Sequence, residues 1–168
     1  TQAGAPCTAK ITPNNDRVPP GQSKRNATVE LPNGCKWTAT SSVSWITLDA
    51  GATGEQTGSG SIGYTVEANP SGTSRVGTIG IAGQLLTITQ DPAPCTASLA
   101  SSTESFEATG GNGIASVTIP TGCVWSASSN TSWISISSGA GPNSGGNGAV
   151  TYVVAANTSA SPRTGTLT

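Results

Sequence analysis

Apolar residues recur at every second position over short stretches of this chain, and no long window pairs them at three-and-four spacing. The clearest alternation is Ile62-Gly63-Tyr64-Thr65-Val66, matched later by Val150-Thr151-Tyr152-Val153-Val154. Successive side chains of a strand point to opposite faces, so the large apolar residue at every second position faces a core. The same pattern predicts strands over Ala9–Ile11, Ala27–Leu31, Trp37–Thr40, Trp45–Leu48, Ser61–Glu67, Arg75–Ile81 and Leu85–Gln90. Pro32, Gly34, Gly51, Pro70 and Gly83 supply the turns between them. Short strands so closely spaced predict an all-β sandwich without substantial helix.

The pattern repeats. A shift of 88 positions carries Cys7 onto Cys95, Cys35 onto Cys123, Trp37 onto Trp125, Trp45 onto Trp133, Tyr64 onto Tyr152, Asn69 onto Asn157 and Arg75 onto Arg163, without insertion or deletion. Thr1-Gln2 aligns with Thr89-Gln90, so residues 1–6 read as the tail of a preceding repeat or a linker. A first sandwich is expected over 7–90, a Pro-rich linker over 91–94 and a second sandwich over 95–168. Thr168 aligns with Gly80, so the second copy is expected to lack its last strand, the counterpart of Ile81 to Ile88. Two readings stay open: an excerpt of a longer array, or a module whose missing strand is donated by a neighbouring chain.

Composition narrows the partners. Charged residues make up 9%, the formal net charge is −1, and the seven Lys and Arg are scattered singly, so no basic stripe faces a nucleic acid. No apolar run approaches the roughly 20 residues that cross a bilayer, and no membrane insertion of this segment is expected. Four cysteines permit three pairings, and the equal spacing of 28 within each repeat favours Cys7–Cys35 and Cys95–Cys123. Such bonds imply an oxidising, secreted or cell-surface setting. Two cysteines per repeat in a chain without His do not furnish a zinc site.

The segments Gly34-Cys35-Lys36-Trp37-Thr38-Ala39, Ser44-Trp45-Ile46, Tyr64-Thr65-Val66-Glu67-Ala68-Asn69, Arg75-Val76-Gly77-Thr78-Ile79, Ile81-Ala82-Gly83-Gln84 and Thr87-Ile88-Thr89-Gln90, in this order, resemble the BACON domain family. The likeness spans essentially all of the first repeat and the second up to Thr168. It implies two tandem immunoglobulin-like β-sandwich domains of a bacterial extracellular protein. Members of the family occur in tandem or beside carbohydrate-active enzymes, and the family is named for carbohydrate binding, although some members act as spacers. The added cysteine pair is similar to a variant found in long surface-protein arrays. No binding residue of the family carries over to this chain.

Candidate sites follow from residues that both repeats keep. Without His, and with every Cys paired, Ser and Thr lack an evident activating base, so no catalytic residue is expected. Of the acidic residues only Asp16 has an acidic counterpart, Glu104, so paired-carboxylate hydrolysis is not common to both repeats. Asp49 and Glu55 align with Ser137 and Asn143, which argues against a repeated calcium site, and no metal or cofactor is expected. Trp37 and Trp125, two positions after a cysteine, are expected in the core, whereas Trp45 and Trp133 are the candidate glycan contacts. Arg75 and Arg163 are expected to be structural, tying down the turns at Asn69 to Ser74 and Asn157 to Pro162. Asn26, Asn130 and Asn157 stand in glycosylation sequons. The expected role is a structural and adhesive repeat of a bacterial surface protein or fibre, with neighbouring copies or adjacent repeats as partners. The alternative is a module that holds a protein or cell on polysaccharide.

Overall fold

The structure, a computed structural model, describes residues 6–168, so the expected tail at 1–6 falls almost entirely outside the described residues. The chain divides into two compact units with the boundary between Ala93 and Pro94, and Ser71–Thr73 groups with the second. No helix occurs among the described residues.

The first unit contains β1 (Lys10–Thr12), β2 (Asn15–Val18), β3 (Ser23–Glu30), β4 (Lys36–Trp37), β5 (Ala39–Ser41), β6 (Ile46–Leu48), β7 (Gln56–Thr57), β8 (Gly60–Val66), β9 (Arg75–Ile81) and β10 (Gln84–Gln90). Two four-stranded sheets form, β1-β3-β8-β6 and β2-β10-β9-β5, and β4 pairs with β7 beside them. Their inward residues make one core: Val29, Ile46, Ile62, Tyr64 and Val66 from one sheet, Val18, Ile79, Ile81, Leu86 and Ile88 from the other. Two sheets sharing a core through alternate residues form an immunoglobulin-like sandwich. Ile62, Tyr64 and Val66 are at most 1% exposed, as their alternation predicts.

Two strands lie outside the sequence expectation. β2 runs parallel to β10, with Asn15 opposite Thr87 and Val18 opposite Gln90. Only Val18 among its four residues is apolar, so no periodic signal marks it. β7 is two polar residues held by β4, with Gln56 opposite Trp37. The expected strand at Trp37–Thr40 is divided, because Thr38 separates β4, which pairs with β7, from β5, which pairs with β9.

The second unit contains β11 (Ser98–Leu99), β12 (Gly111–Thr118), β13 (Val124–Trp125), β14 (Ile134–Ser138), β15 (Asn143–Ser144) and β16 (Gly148–Val154). Its main sheet, β11-β12-β16-β14, repeats the order of the first unit's β1-β3-β8-β6 sheet, and β13 pairs with β15 as β4 does with β7. β12 and β16 sit 88 positions after β3 and β8 at both ends. The Ser129–Leu167 bridge and the mutual hydrogen bonds of Ser128 and Thr168, at 2.8 and 2.9 Å, mark the start of the other layer. They correspond to the pairing of Ser41 with Ile79 in the first unit.

Each unit carries one disulfide, Cys7–Cys35 and Cys95–Cys123, both spanning 28 positions. Asp91, read from sequence as the start of the linker, is bonded into the first sandwich. Its backbone N–H donates to the Val18 carbonyl at 2.9 Å, and its carboxylate accepts from Arg17 Nε at 2.8 Å.

Candidate functional site

The four indoles were the strongest candidates for a binding surface, and each is engaged within its own module. Trp37 is 4% exposed and donates its Nε1–H to the Gly58 carbonyl at 2.8 Å. Trp125, half-buried, donates to the equivalent Gly146 carbonyl at 3.0 Å. In each, a flat side chain uses its one polar atom to hold a loop carbonyl.

Trp45 and Trp133 are half-buried at the heads of β6 and β14. The Arg75 guanidinium stacks over the Trp45 ring at 4.3 Å, and Arg163 over Trp133 at 4.2 Å. An arginine in this position makes a cation–π contact and covers one face of the ring. A glycine also lies against each indole. A Cβ on Gly77 would lie 2.9 Å from Trp45 Cζ2, and one on Gly165 would lie 2.8 Å from Trp133 Cζ2.

Both arginines bond the chain that leaves the neighbouring strand. Arg75 Nη2 donates to the carbonyls of Glu67, at 2.7 Å, and Ala68, at 3.0 Å, just beyond the end of β8. Arg163 Nη2 donates to Ala155, the counterpart of Glu67. Burial lowers the Arg75 guanidinium from its usual range. Its Nε donates to Gln90 Oε1 at 2.8 Å. Gln90 itself is fully buried and turns its amide toward the carbonyls of Glu67, Pro19 and Pro20 at 2.9 to 3.2 Å.

A second shared constellation joins a tyrosine to a carboxylate. Tyr64, on β8, donates its hydroxyl to Asp16 Oδ2 on β2 at 2.8 Å, crossing from one sheet to the other. Tyr152 donates in the same way to Glu104. Burial, followed by the carboxylate hydrogen bond, raises both phenols, Tyr152 to about 12. Asp16 is also gripped by Arg25, through Nε at 3.1 Å and Nη2 at 3.0 Å. From sequence the Asp16–Glu104 equivalence served only to dismiss hydrolysis. The signal for its actual role was present in the tyrosine 48 positions after each acid.

The family model described as "Viral BACON domain" matches residues 9–91, and the BACON model described as "Putative binding domain, N-terminal" matches residues 124–168. This chain belongs to the BACON-domain family. Similar solved structures include a Bacteroides ovatus GH5 xyloglucanase in complex with a XXXG heptasaccharide, at 16% identity and TM-score 0.45, covering 54% of this chain and 20% of that one. Others are WR4, a C. elegans MSP family member, at 10% identity and TM-score 0.36, covering 51% of this chain and 97% of that one, and the I9-I11 tandem from titin, at 10% identity and TM-score 0.30, covering 88% and 56%. The BACON chain thus spans about a fifth of the xyloglucanase's length. No curated protein sequence matches it.

The three sequons of the BACON chain differ in setting. Asn26 is exposed on β3. Asn130 accepts the Thr166 N–H at 2.7 Å through its side-chain oxygen. Asn157 donates its amide to the Ser161 carbonyl at 2.9 Å and accepts from the Ser159 N–H, so a sugar on that nitrogen would disturb a formed turn. Among the described residues no group of three or more Cys, Asp or Glu is arranged to hold a metal ion. Among the described residues no helix is long and apolar enough to cross a membrane. The two disulfides are compatible with an extracellular protein.

Proposed function

We propose that this BACON chain is a non-catalytic structural and adhesive repeat of a bacterial extracellular surface protein. The observation that supports this reading best is the internal use of all four indoles. Trp37 and Trp125 hold loop carbonyls, and Trp45 and Trp133 each lie beneath an arginine, in both modules alike. A β-sandwich that grips neutral polysaccharide does so by stacking sugar rings on free aromatic faces. Here those faces serve stability, which suits a module repeated for length and rigidity.

An array of neutral plant and microbial polysaccharides tests the reading. The expected result is no binding that depends on Trp45 or Trp133. Binding lost in Trp45→Ala and Trp133→Ala variants that remain folded would favour a neutral-glycan-binding module instead. The polymeric form of the proposal, in which modules exchange strands, is tested by electron microscopy of the intact protein. A neighbouring chain pairing with Thr166–Thr168 supports a fibre, whereas the same chain doing so leaves an ordinary tandem array.

A further inference from the structure

The first module is fastened at the two points where the chain enters and leaves it. At the entrance Cys7 directly follows Pro6 and is bonded to Cys35, so a pull arriving from upstream passes through the sulfur bridge into Cys35. Residues 8–34, which carry β1, β2 and β3, lie inside that covalent loop and are bypassed. Cys35 is buried and its carbonyl accepts the Gly58 N–H at 2.8 Å, so the bridge ends in the packed body of the sandwich.

At the exit, β10 ends on the fully buried Gln90, whose amide is held by Arg75 and by the carbonyls of Glu67, Pro19 and Pro20. The next residue is gripped through three groups. The Asp91 N–H donates to the Val18 carbonyl at 2.9 Å, its carbonyl accepts from Asn69 Nδ2 at 3.0 Å, and its carboxylate accepts from Arg17 Nε at 2.8 Å. The last residues of the module are thus tied to β2, to the chain after it and to the chain after β8.

The two fastened points lie at opposite ends of the sandwich. β2 runs parallel to β10 with Val18 opposite Gln90, which puts the exit beside the end of β2. β1 begins at the other end, where Ala9 and Lys10 line one cavity together with Gln84 and Leu85 at the start of β10. The seven residues of β10 span ~20 Å at ~3.3 Å per residue. A pull between entrance and exit is therefore directed along β10 and strains its ladder bonds to β9 and β2 in shear. Ladder bonds lie across the strand, so sliding β10 along its axis breaks them together, whereas peeling it from one end breaks them in turn. The second module repeats the entrance: Cys95 directly follows Pro94 and is bonded to the buried Cys123 over the same 28 positions.

We propose that the first module carries tension along the tandem chain. The disulfide is its entrance, β10 held in shear sets its strength, and the anchors on Gln90 and Asp91 secure its exit. This rests on the reading of the chain as a structural repeat and adds the direction in which such a repeat resists force.

Single-molecule pulling on the full chain tests it, with handles either at the two termini or at the N-terminus and residue 84, attached through Gln84→Cys. The expected rupture force of the first module is at least about twice as high between the termini, because residue 84 lies at the entrance end and a pull there peels β10. With the disulfide intact, that rupture releases only the chain beyond Cys35. In Cys7→Ser/Cys35→Ser the released length grows by the 28 positions of the opened loop, about 100 Å at ~3.6 Å per residue. Equal forces in the two directions, or an unchanged released length in the double variant, would overturn the proposal. The comparison of directions keeps the disulfide and decides the matter if the double variant does not fold. Equal forces with a silent polysaccharide array overturn this proposal alone. Polysaccharide binding through Trp45 and Trp133 with the difference in force intact overturns only the structural-repeat reading.

Discussion

At the scale of single residues, the two tyrosine–carboxylate pairs show how a core closes on a polar atom. A phenol that reaches across a sandwich must find an acceptor, since an unpaired buried hydroxyl costs about 1–3 kcal/mol. Asp16 and Glu104 meet that need from the same position in each repeat. Burial and the bond to the carboxylate raise the Tyr152 phenol from its ordinary value near 10 to about 12. The folded state thus holds the proton more tightly than the unfolded chain does. Stability from this pair is fully present below pH 10 and is lost as pH rises toward 12. Tyr152→Phe should therefore be less stable near neutral pH, yet lose less of its remaining stability over that alkaline interval. Urea denaturation at a series of pH values measures this, and an unchanged slope would contradict it. The tyrosines were legible as core residues because alternation depends only on strand period. Their acceptors were not, because Asp16 lies on a strand with a single inward apolar residue and reaches Tyr64 only through the sheet-to-sheet contact.

At the scale of elements, glycines on the long strands make room for indoles. Gly77 on β9 lies under Trp45, and a Cβ there would also come within 2.7 Å of Val43 and 2.9 Å of Ile46. Gly60 on β8 lies 3.4 Å from Trp37 in the same measure, and Gly148 on β16 lies 2.5 Å from Trp125. An added methyl at Gly77 must displace a ring already confined by Arg75, so Gly77→Ala should destabilise the first module by about 1–3 kcal/mol. Gly51→Ala meets nothing within 4 Å and serves as the control, with a change within about 0.5 kcal/mol. Equilibrium unfolding followed by tryptophan fluorescence separates the two, and equal effects would refute the packing argument. Gly77 and Gly165 stand 88 positions apart in the sequence, each followed by Thr, but that spacing does not name the rings that lie over them. Which ring crosses a given strand is decided by how the two sheets face each other.

At the scale of the whole molecule, a sandwich of under 90 residues has limited core, and a covalent staple compensates. Each disulfide closes a loop of 28 positions, which restricts the unfolded chain and is worth roughly 3–4 kcal/mol per module. The Cys7→Ser/Cys35→Ser double variant should lose that amount in the first module, while the second, with its own bond, stays unchanged. Thermal denaturation of the variant tests this, and loss of both transitions would show that the modules do not fold as separate units. The division into two modules, the disulfide pairing and most of the long strands were determined by the sequence itself. Each depends on the identity of residues at fixed spacings along the chain. The tertiary structure alone decided the parallel pairing of β2, the stacking of arginine on Trp45 and Trp133, and the meeting of Asp16 with Tyr64 and Arg25. Those features arise where strands distant in sequence become neighbours, and no local period records which neighbours they will be.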